Sequence, residues 1–320
     1  MSSSQQEPSW EARSSAFLPK LRGRRLARLQ SKQTRGGEAA LHSWVAANPL
    51  SDRTERDIVA EVALCWDGVP LPKELPVLID SARCHLAEDL CRAQEAACEG
   101  PVKLGKYLKV TSLVPIEEAL ATGRSVIVLT ASFGAWQWIA PALARRGYSV
   151  GVLDLRPPSR RPAHPFPAAP GLDLRQLPAD GYARELVRWV SGGPRVLVAL
   201  GDEGCGPRWA EGALLGRSAR VGSTPFELAR RYNLTIVPAF AVREHGSTRL
   251  IVEPAIRVSD TGHGDMDLDT SAARFLKLVD RYARRYPDHY LPFLLARRQS
   301  RDRDLLQLFA GAEAGGSADA

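Results

Sequence analysis

Two observations place this chain in the α/β class, with a mostly parallel sheet flanked by helices and a helical region in front. From Gly123 onward, short β-branched runs alternate with helix-like segments, the rhythm of strand–helix–strand units. The runs Val126–Leu129 and Val196–Leu200 are also apolar throughout, as strands covered on both faces are, rather than alternating. A chain of 320 residues with 44% hydrophobic and 25% charged residues can bury a core of that size. The expected division is a disordered stretch over 1–15, a helical region with a basic arm over 16–121, an α/β core over 122–300, and a tail over 301–320.

In chain order, the helical region leads. Asp52 is placed to cap a helix running through Val59 and Leu64, and Gly68, Pro70 and Pro72 break the connection after it. Ser81–Glu99 is the clearest helix of this half, closed by Gly100-Pro101, and Glu117–Ala121 is a short helix feeding the turn at Gly123. Then come strand Val126–Leu129, helix 136–146 stopped by Gly147, and strand Tyr148–Leu153. Pro157–Pro170 carries six prolines with Arg160, Arg161 and His164, and reads as a loop. Helix Tyr182–Ser191, strand Val196–Leu200, helix 225–232, strand Leu234–Phe240, a charged hairpin Arg243–Gly246 and strand Leu250–Val252 follow. A last helix, Thr270–Tyr286, precedes Pro287, and the tail from Gly311 has the composition of a disordered segment.

Bulk properties narrow the function. No stretch has the uninterrupted apolar length of a spanning helix, and Met1–Arg13 lacks the apolar centre of a signal peptide, so a cytoplasmic location is expected. The formal net charge of +7 is concentrated between Arg13 and Arg35, where Lys20, Arg22, Arg24, Arg25, Arg28 and Lys32 occur almost without acids. Such an arm suits an acidic carrier protein or an anionic small molecule; a solvated surface is the plainer reading, and peripheral membrane contact is not favoured. No recognition motif or interleaved aromatic pattern accompanies the charge, which argues against nucleic acid. Cys84, Cys91 and Cys98 recur every seven residues, as a packing stripe on one helix face; that spacing does not suit a metal site, and neither metal nor cofactor is expected.

The stretch around which the chain is organised is Gly123–Gln137, a strand that breaks at Thr130-Ala131-Ser132 and restarts as a helix. Strand, tight turn and helix put small side chains and backbone N–H groups at the mouth of a sheet, where anions and reacting carbonyls bind. On pattern alone this is also an ordinary strand-to-helix connection. Ser132-Phe133-Gly134-Ala135-Trp136-Gln137, however, resembles the first signature block of the bacterial lysophospholipid acyltransferase superfamily, nearest to the lipid A late acyltransferases and phosphatidylinositol mannoside acyltransferases. Their block reads His-Phe-Gly-Asn-Trp-Glu. The resemblance implies that the His is the general base and the acid its orienting partner. Here Ser132 and Gln137 stand at those two positions, so both catalytic groups are missing. The resemblance continues through Val196–Gly204, Leu214–Ala219, Gly222–Pro225, Ile236-Val237-Pro238 and Tyr286–Tyr290, covering about residues 75 to 300.

Candidate residues follow from both readings. Asp202 and Glu203 end the Val196–Leu200 strand on the edge where such a sheet carries its site, and either suits a general base; turn capping competes with that role. Ser132 is a substrate hydrogen-bonding group or a weak nucleophile candidate, since no Gly-x-Ser-x-Gly surrounds it and no histidine lies in the block. The resemblance implies that Arg217 and Arg220 bind an anionic group, and a guanidinium fork suits phosphate or sulfate; two surface arginines after a loop are the plainer reading, and Arg243, at the end of strand Leu234–Phe240, is placed to join them. Thr130, Trp136 and Gln137 complete the expected substrate contacts. Cys205 lacks a recognisable partner.

Three functions fit. The favoured one is a repurposed acyltransferase-fold enzyme of specialised metabolism, or a subunit of one in a heterodimer, acting on an anionic and carrier-tethered substrate. Its best-fitting reaction is intramolecular displacement of an anionic leaving group, as in aziridine formation by proteins of acyltransferase-like fold. The alternatives are acyl transfer from a thioester to a hydroxyl or amine, and a non-catalytic partner subunit.

Overall fold

A computed structural model describes residues 17, 18, 21, 24–99, 108–110, 112–154, 173–178, 183–202, 208–244, 247–299 and 309. Helices α1 (Arg24–Ala46), α2 (Asp52–Cys65) and α3 (Leu75–Glu99) form the N-terminal region. Then come β1 (Lys109–Val110), α4 (Val114–Leu120), β2 (Val126–Thr130), a 3-10 turn (Trp136–Trp138), α5 (Ile139–Arg145) and β3 (Val150–Asp154). They are followed by β4 (Leu174–Pro178), α6 (Ala183–Ser191), β5 (Val196–Leu200), β6 (Trp209–Leu214), β7 (Arg217–Gly222) and α7 (Thr224–Tyr232). The chain closes with β8 (Thr235–Glu244), β9 (Ser247–Val252), α8 (Gly264–Arg285) and α9 (Pro287–Gln299).

The main sheet has the order β1-β9-β8-β2-β5-β3-β4. Its strands from β8 to β4 run parallel, β9 is antiparallel to β8, and β1 follows β9. This is the mostly parallel sheet that the continuous apolar runs predict: β2 is buried at every position. One face is covered by the N-terminal helices with α6 to α9, the other by α4 and α5. Because Phe17, Leu41, Ile58 and Leu78 belong to the same core as Ile127 and Leu129, the N-terminal helices are packed onto the sheet. Arg83 of α3 secures them, donating from Nε to the Phe17 carbonyl at 3.1 Å and from Nη1 to that of Val45 at 3.3 Å. Cys84 and Cys91 are buried on α3, as a packing stripe requires.

Several elements differ from the sequence reading. The cap of α2 is Ser51, whose Oγ accepts from the Thr54 amide at 3.2 Å; Asp52 is the first helical residue. Helix α3 begins at Leu75, not Ser81, because Pro76 lies in the first turn, where its missing N–H costs nothing. Helix 136–146 is a 3-10 turn followed by seven α-helical residues. Strand β8 continues to Glu244, so Arg243 lies in a ladder opposite Thr248 rather than in a hairpin turn. The apolar-Gly-Arg segment is a β-hairpin, β6–β7, turning at Leu215 (φ 52°) and Gly216 (φ 75°). Helix α8 starts at Gly264, six residues earlier than expected, and Pro287 opens a further helix instead of ending the fold. The proline-rich loop 157–170, Glu203, Cys205, residues 1–15 and the tail from Gly311 lie outside the described residues.

Candidate functional site

Strands β2 and β5 lie side by side, yet the chain leaves them in opposite directions: β2 leads on to β3 and β5 leads towards β8. Ligands of open parallel sheets bind outside the carboxyl ends of strands at such a switch point. Thr130 and Leu200, the last residues of the two strands, are paired in register. Two residues beyond each stand Ser132 and Asp202, and the level strand ends bring them together.

Asp202 is fully buried. One carboxylate oxygen, Oδ2, accepts from the Ser132 amide at 2.8 Å and from the Tyr290 hydroxyl at 3.2 Å; Oδ1 accepts from Ser132 Oγ at 3.3 Å. The donors come from the β2 turn and from α9, so the carboxylate is held at two points of the fold distant in sequence. Buried carboxylates persist only when hydrogen-bonded, and these donors fix its position.

The remaining expected residues divide. Thr130 is buried, with Oγ1 donating to the Ala131 carbonyl at 3.4 Å. Gln137 is buried in the 3-10 turn and Trp136 is partly exposed against the α4–α5 side of the core. Arg220 is opposite Glu211 in the β6–β7 ladder and donates to it from Nε at 2.9 Å, both side chains being about half exposed. Arg243 is buried and paired twice, Nη2 with Asp89 at 2.6 Å and Nε with Glu88 at 3.2 Å. Burial works against its charge, but Asp89 and Glu88 outweigh that and raise its pKa. These two arginines are thus engaged by acids. Arg217 lies with its guanidinium carbon 4.0 Å from the Phe309 ring centroid, and its Nη1 is buried without a hydrogen-bond partner among the described residues. Its buried donor is therefore available to an anion, whereas Arg243 is held by two acids and Arg220 is tied to Glu211 through Nε.

Two histidines come to the same turn: His289, from the Tyr286–Tyr290 block, and His85, which no local motif announces. His289 of α9 stacks on Phe133 of the turn, rings 5.2 Å apart, and its carbonyl accepts from the Gly134 amide at 3.0 Å. His289 Nε2 accepts from the Arg243 amide at 2.9 Å, which places the ring proton on Nδ1, where it donates to Asp288 Oδ1 at 2.9 Å. Ser81 of α3 donates to Asp288 Oδ2 at 2.6 Å. His85, also of α3, lies edge-on to His289 at 4.8 Å, with Nδ1 3.8 Å from Asp288 Oδ2. Burial works to raise the Asp288 pKa, but the His289 hydrogen bond, the two imidazoles and Ser81 hold it well below the usual carboxylate range. Burial lowers the His85 pKa well below that of a free histidine, and the Arg243 charge adds to this.

His85, Asp288 and His289 offer three ligand atoms within 4.8 Å of one another. They do not fit a metal ion. Both nitrogens of His289 are committed, Nε2 as an acceptor and Nδ1 as a proton carrier, which leaves two ligands where transition-metal sites use three or four. Among the described residues no helix is long and apolar enough to cross a membrane.

Comparison with known proteins agrees with the geometry. No curated protein matches the chain significantly. A family model described as bacterial lipid A biosynthesis acyltransferase matches residues 74–298, which include α3, the whole main sheet, the Ser132–Asp202 pair and His289. With well over half of its length matched, and with its sheet, turn and closing helix all inside the match, this chain belongs to the bacterial lipid A biosynthesis acyltransferase family.

Proposed function

We propose that this chain is a repurposed acyltransferase-fold enzyme of specialised metabolism in which Asp202 is the base. The observation that carries the reading is the buried Asp202 carboxylate, fixed by Ser132 and Tyr290 where the family turn meets the end of β5. Ser132 stands where the related block has histidine, and it serves here as a donor to Asp202. The reaction is intramolecular displacement. An amine loses its proton to Asp202, its nitrogen lone pair forms a bond to a neighbouring carbon, and the C–O bond to sulfate or phosphate breaks. The electron pair leaves with the oxyanion, and the product is an aziridine-type ring. Arg217, whose buried Nη1 has no hydrogen-bond partner among the described residues, is suited to the departing anion.

Acyl transfer is the second reading, favoured by family membership. Asp202 would then take the proton of a hydroxyl or amine as that group attacks a thioester carbonyl and the C–S bond breaks. An acidic carrier protein presenting the substrate, and a second subunit completing the site, belong to the same proposal.

Asp202→Asn tests the base. It preserves size and one acceptor oxygen, replaces the other by an amide donor and removes the proton-accepting charge, so turnover should fall about 10²–10⁴-fold in either reaction. Ser132→Ala should cost less, since it removes a positioning hydroxyl. Undiminished turnover in Asp202→Asn, with loss in Glu203→Gln instead, would move the base to the neighbouring acid.

A further inference from the structure

A small cavity lined by both apolar and polar side chains lies against the family turn, between α3, α9 and the end of β8. Gly134 and Ala135 form one wall, and His85, Asp288, Arg243 and Asp89 supply its polar groups. Arg243 is already committed to Asp89 and Glu88, and His289 is locked as described. His85 differs from both. Its Nδ1 is buried, faces Asp288 at 3.8 Å and has no hydrogen-bond partner among the described residues. The side chain nevertheless keeps 22% of its surface exposed, and of its two ring nitrogens only Nδ1 is buried without a partner among the described residues.

A histidine with one nitrogen against a fixed carboxylate and the other open to a cavity has the layout of a proton acceptor. The carboxylate is itself pinned on both oxygens, by Ser81 and His289, which sets the direction in which it can orient the ring. A separation of 3.8 Å is long for a hydrogen bond, but contacts of this type shorten when substrate is bound. We infer that His85 is a second proton-accepting group of this chain, oriented by Asp288 and serving a hydroxyl or amine nucleophile seated against the Gly134–Ala135 turn. The proton passes from that nucleophile to His85 Nε2 as its lone pair attacks a carbon bearing a thiolate, sulfate or phosphate leaving group, which departs with the bonding electrons. Asp288 balances the imidazolium formed. His85 is a catalytic candidate, and Asp288 and His289 are positioning residues. The inference stands on these residues and not on the role of Asp202.

The charged and titratable groups around His85 are Asp288 and His289 of α9, Arg243 of β8, Asp89 of α3 and Lys73 ahead of it. Burial is the largest influence on the ring and, with Arg243, His289 and Lys73, it favours the neutral form that a base needs, while Asp288 opposes it.

Two experiments on the full chain decide the matter. Carbethoxylation with diethyl pyrocarbonate, mapped by peptide mass spectrometry, reads Nε2 directly and needs no substrate. His85 should react at a rate comparable with the exposed His42 and more slowly in Asp288→Asn, while buried His289 is protected. His85 as inert as His289 would overturn the inference. With whichever substrate class is turned over, His85→Gln should lower kcat about 10²–10⁴-fold with little change in KM and remove the acidic limb of the pH–rate profile. Asp288→Asn should lower kcat less and move that limb to more acidic pH. Wild-type kcat in both His85→Gln and His85→Asn would overturn the assignment. Absence of turnover in the wild-type chain would count against the proposed function alone, because carbethoxylation still decides the role of His85.

Discussion

Gly134 is the position at which one added methyl group should do most damage. Its φ is +55°, a conformation that costs an L-residue about 1–2 kcal/mol. A Cβ there would lie 2.1 Å from the Ala241 carbonyl oxygen and 2.9 Å from His289 Cδ2, and the nearer obstacle is backbone of a central strand. The turn would have to withdraw, breaking the Gly134 amide bond to His289 (3.0 Å) and the Ala135 amide bond to Ala241 (3.2 Å). At about 1 kcal/mol for each bond, the total for Gly134→Ala is about 3–4 kcal/mol. Gly216→Ala is the control: φ is +75°, but no atom lies within 4 Å of its Cβ, so it carries the conformational cost alone. Thermal unfolding followed by circular dichroism should show Gly134→Ala melting on the order of 5 °C or more below wild type, and Gly216→Ala losing about half as much. Equal shifts for the two variants would refute the claim that the turn is held tightly between β8 and α9.

Arg243→Met should destabilise the chain by about 3–5 kcal/mol, because Asp89 would remain buried beside an apolar side chain, while half-buried Glu88 keeps its pair with Arg92. In chemical denaturation the variant with Asp89→Leu added should recover much of the loss; no recovery would show that packing, not charge, is at stake. Acidification provides a further test through His85, whose folded pKa is lowered. Its stabilising contribution is present above the unfolded value of about 6.5 and is lost as pH falls below it, by at most about 1.4 kcal/mol per pH unit. His85→Gln should flatten stability between pH 6.5 and 5. The loss below about pH 4, where Asp288 with its depressed pKa ceases to contribute, should remain.

The sheet was legible because its strands are buried on both faces: Val126–Leu129 and Val196–Leu200 are apolar throughout, and alternation was not needed to find them. Ser132 and Asp202 were each legible as candidates, but their pairing was not, because no local pattern states that β2 and β5 are neighbours in register. Prolines hid the helical boundaries. Pro76 and Pro287 sit in the first turns of α3 and α9, where proline is compatible with a helix, but in sequence each reads as a stop. Helix α9 also buries residues around much of its circumference, Tyr290, Leu291, Phe293, Leu294 and Leu295, so it has no amphipathic stripe to detect. His85 and Asp288 are two hundred positions apart, and only the packing of α3 on α9 joins them. The acids that engage Arg243 lie on α3 and were likewise beyond any local pattern.

The central claim is that a buried carboxylate removes a proton in a reaction that transfers no acyl group. Mass spectrometry of products tests it most directly. The purified chain, alone and with a candidate partner subunit, would be offered two substrate sets, each in free and carrier-linked form. One contains acyl thioesters with hydroxylated acceptors; the other contains amines carrying a neighbouring sulfate or phosphate. The account predicts a product lighter by the leaving group, with no added mass, formed by the wild type and lost in Asp202→Asn. A product heavier by an acyl group would contradict it and return the chain to acyl transfer.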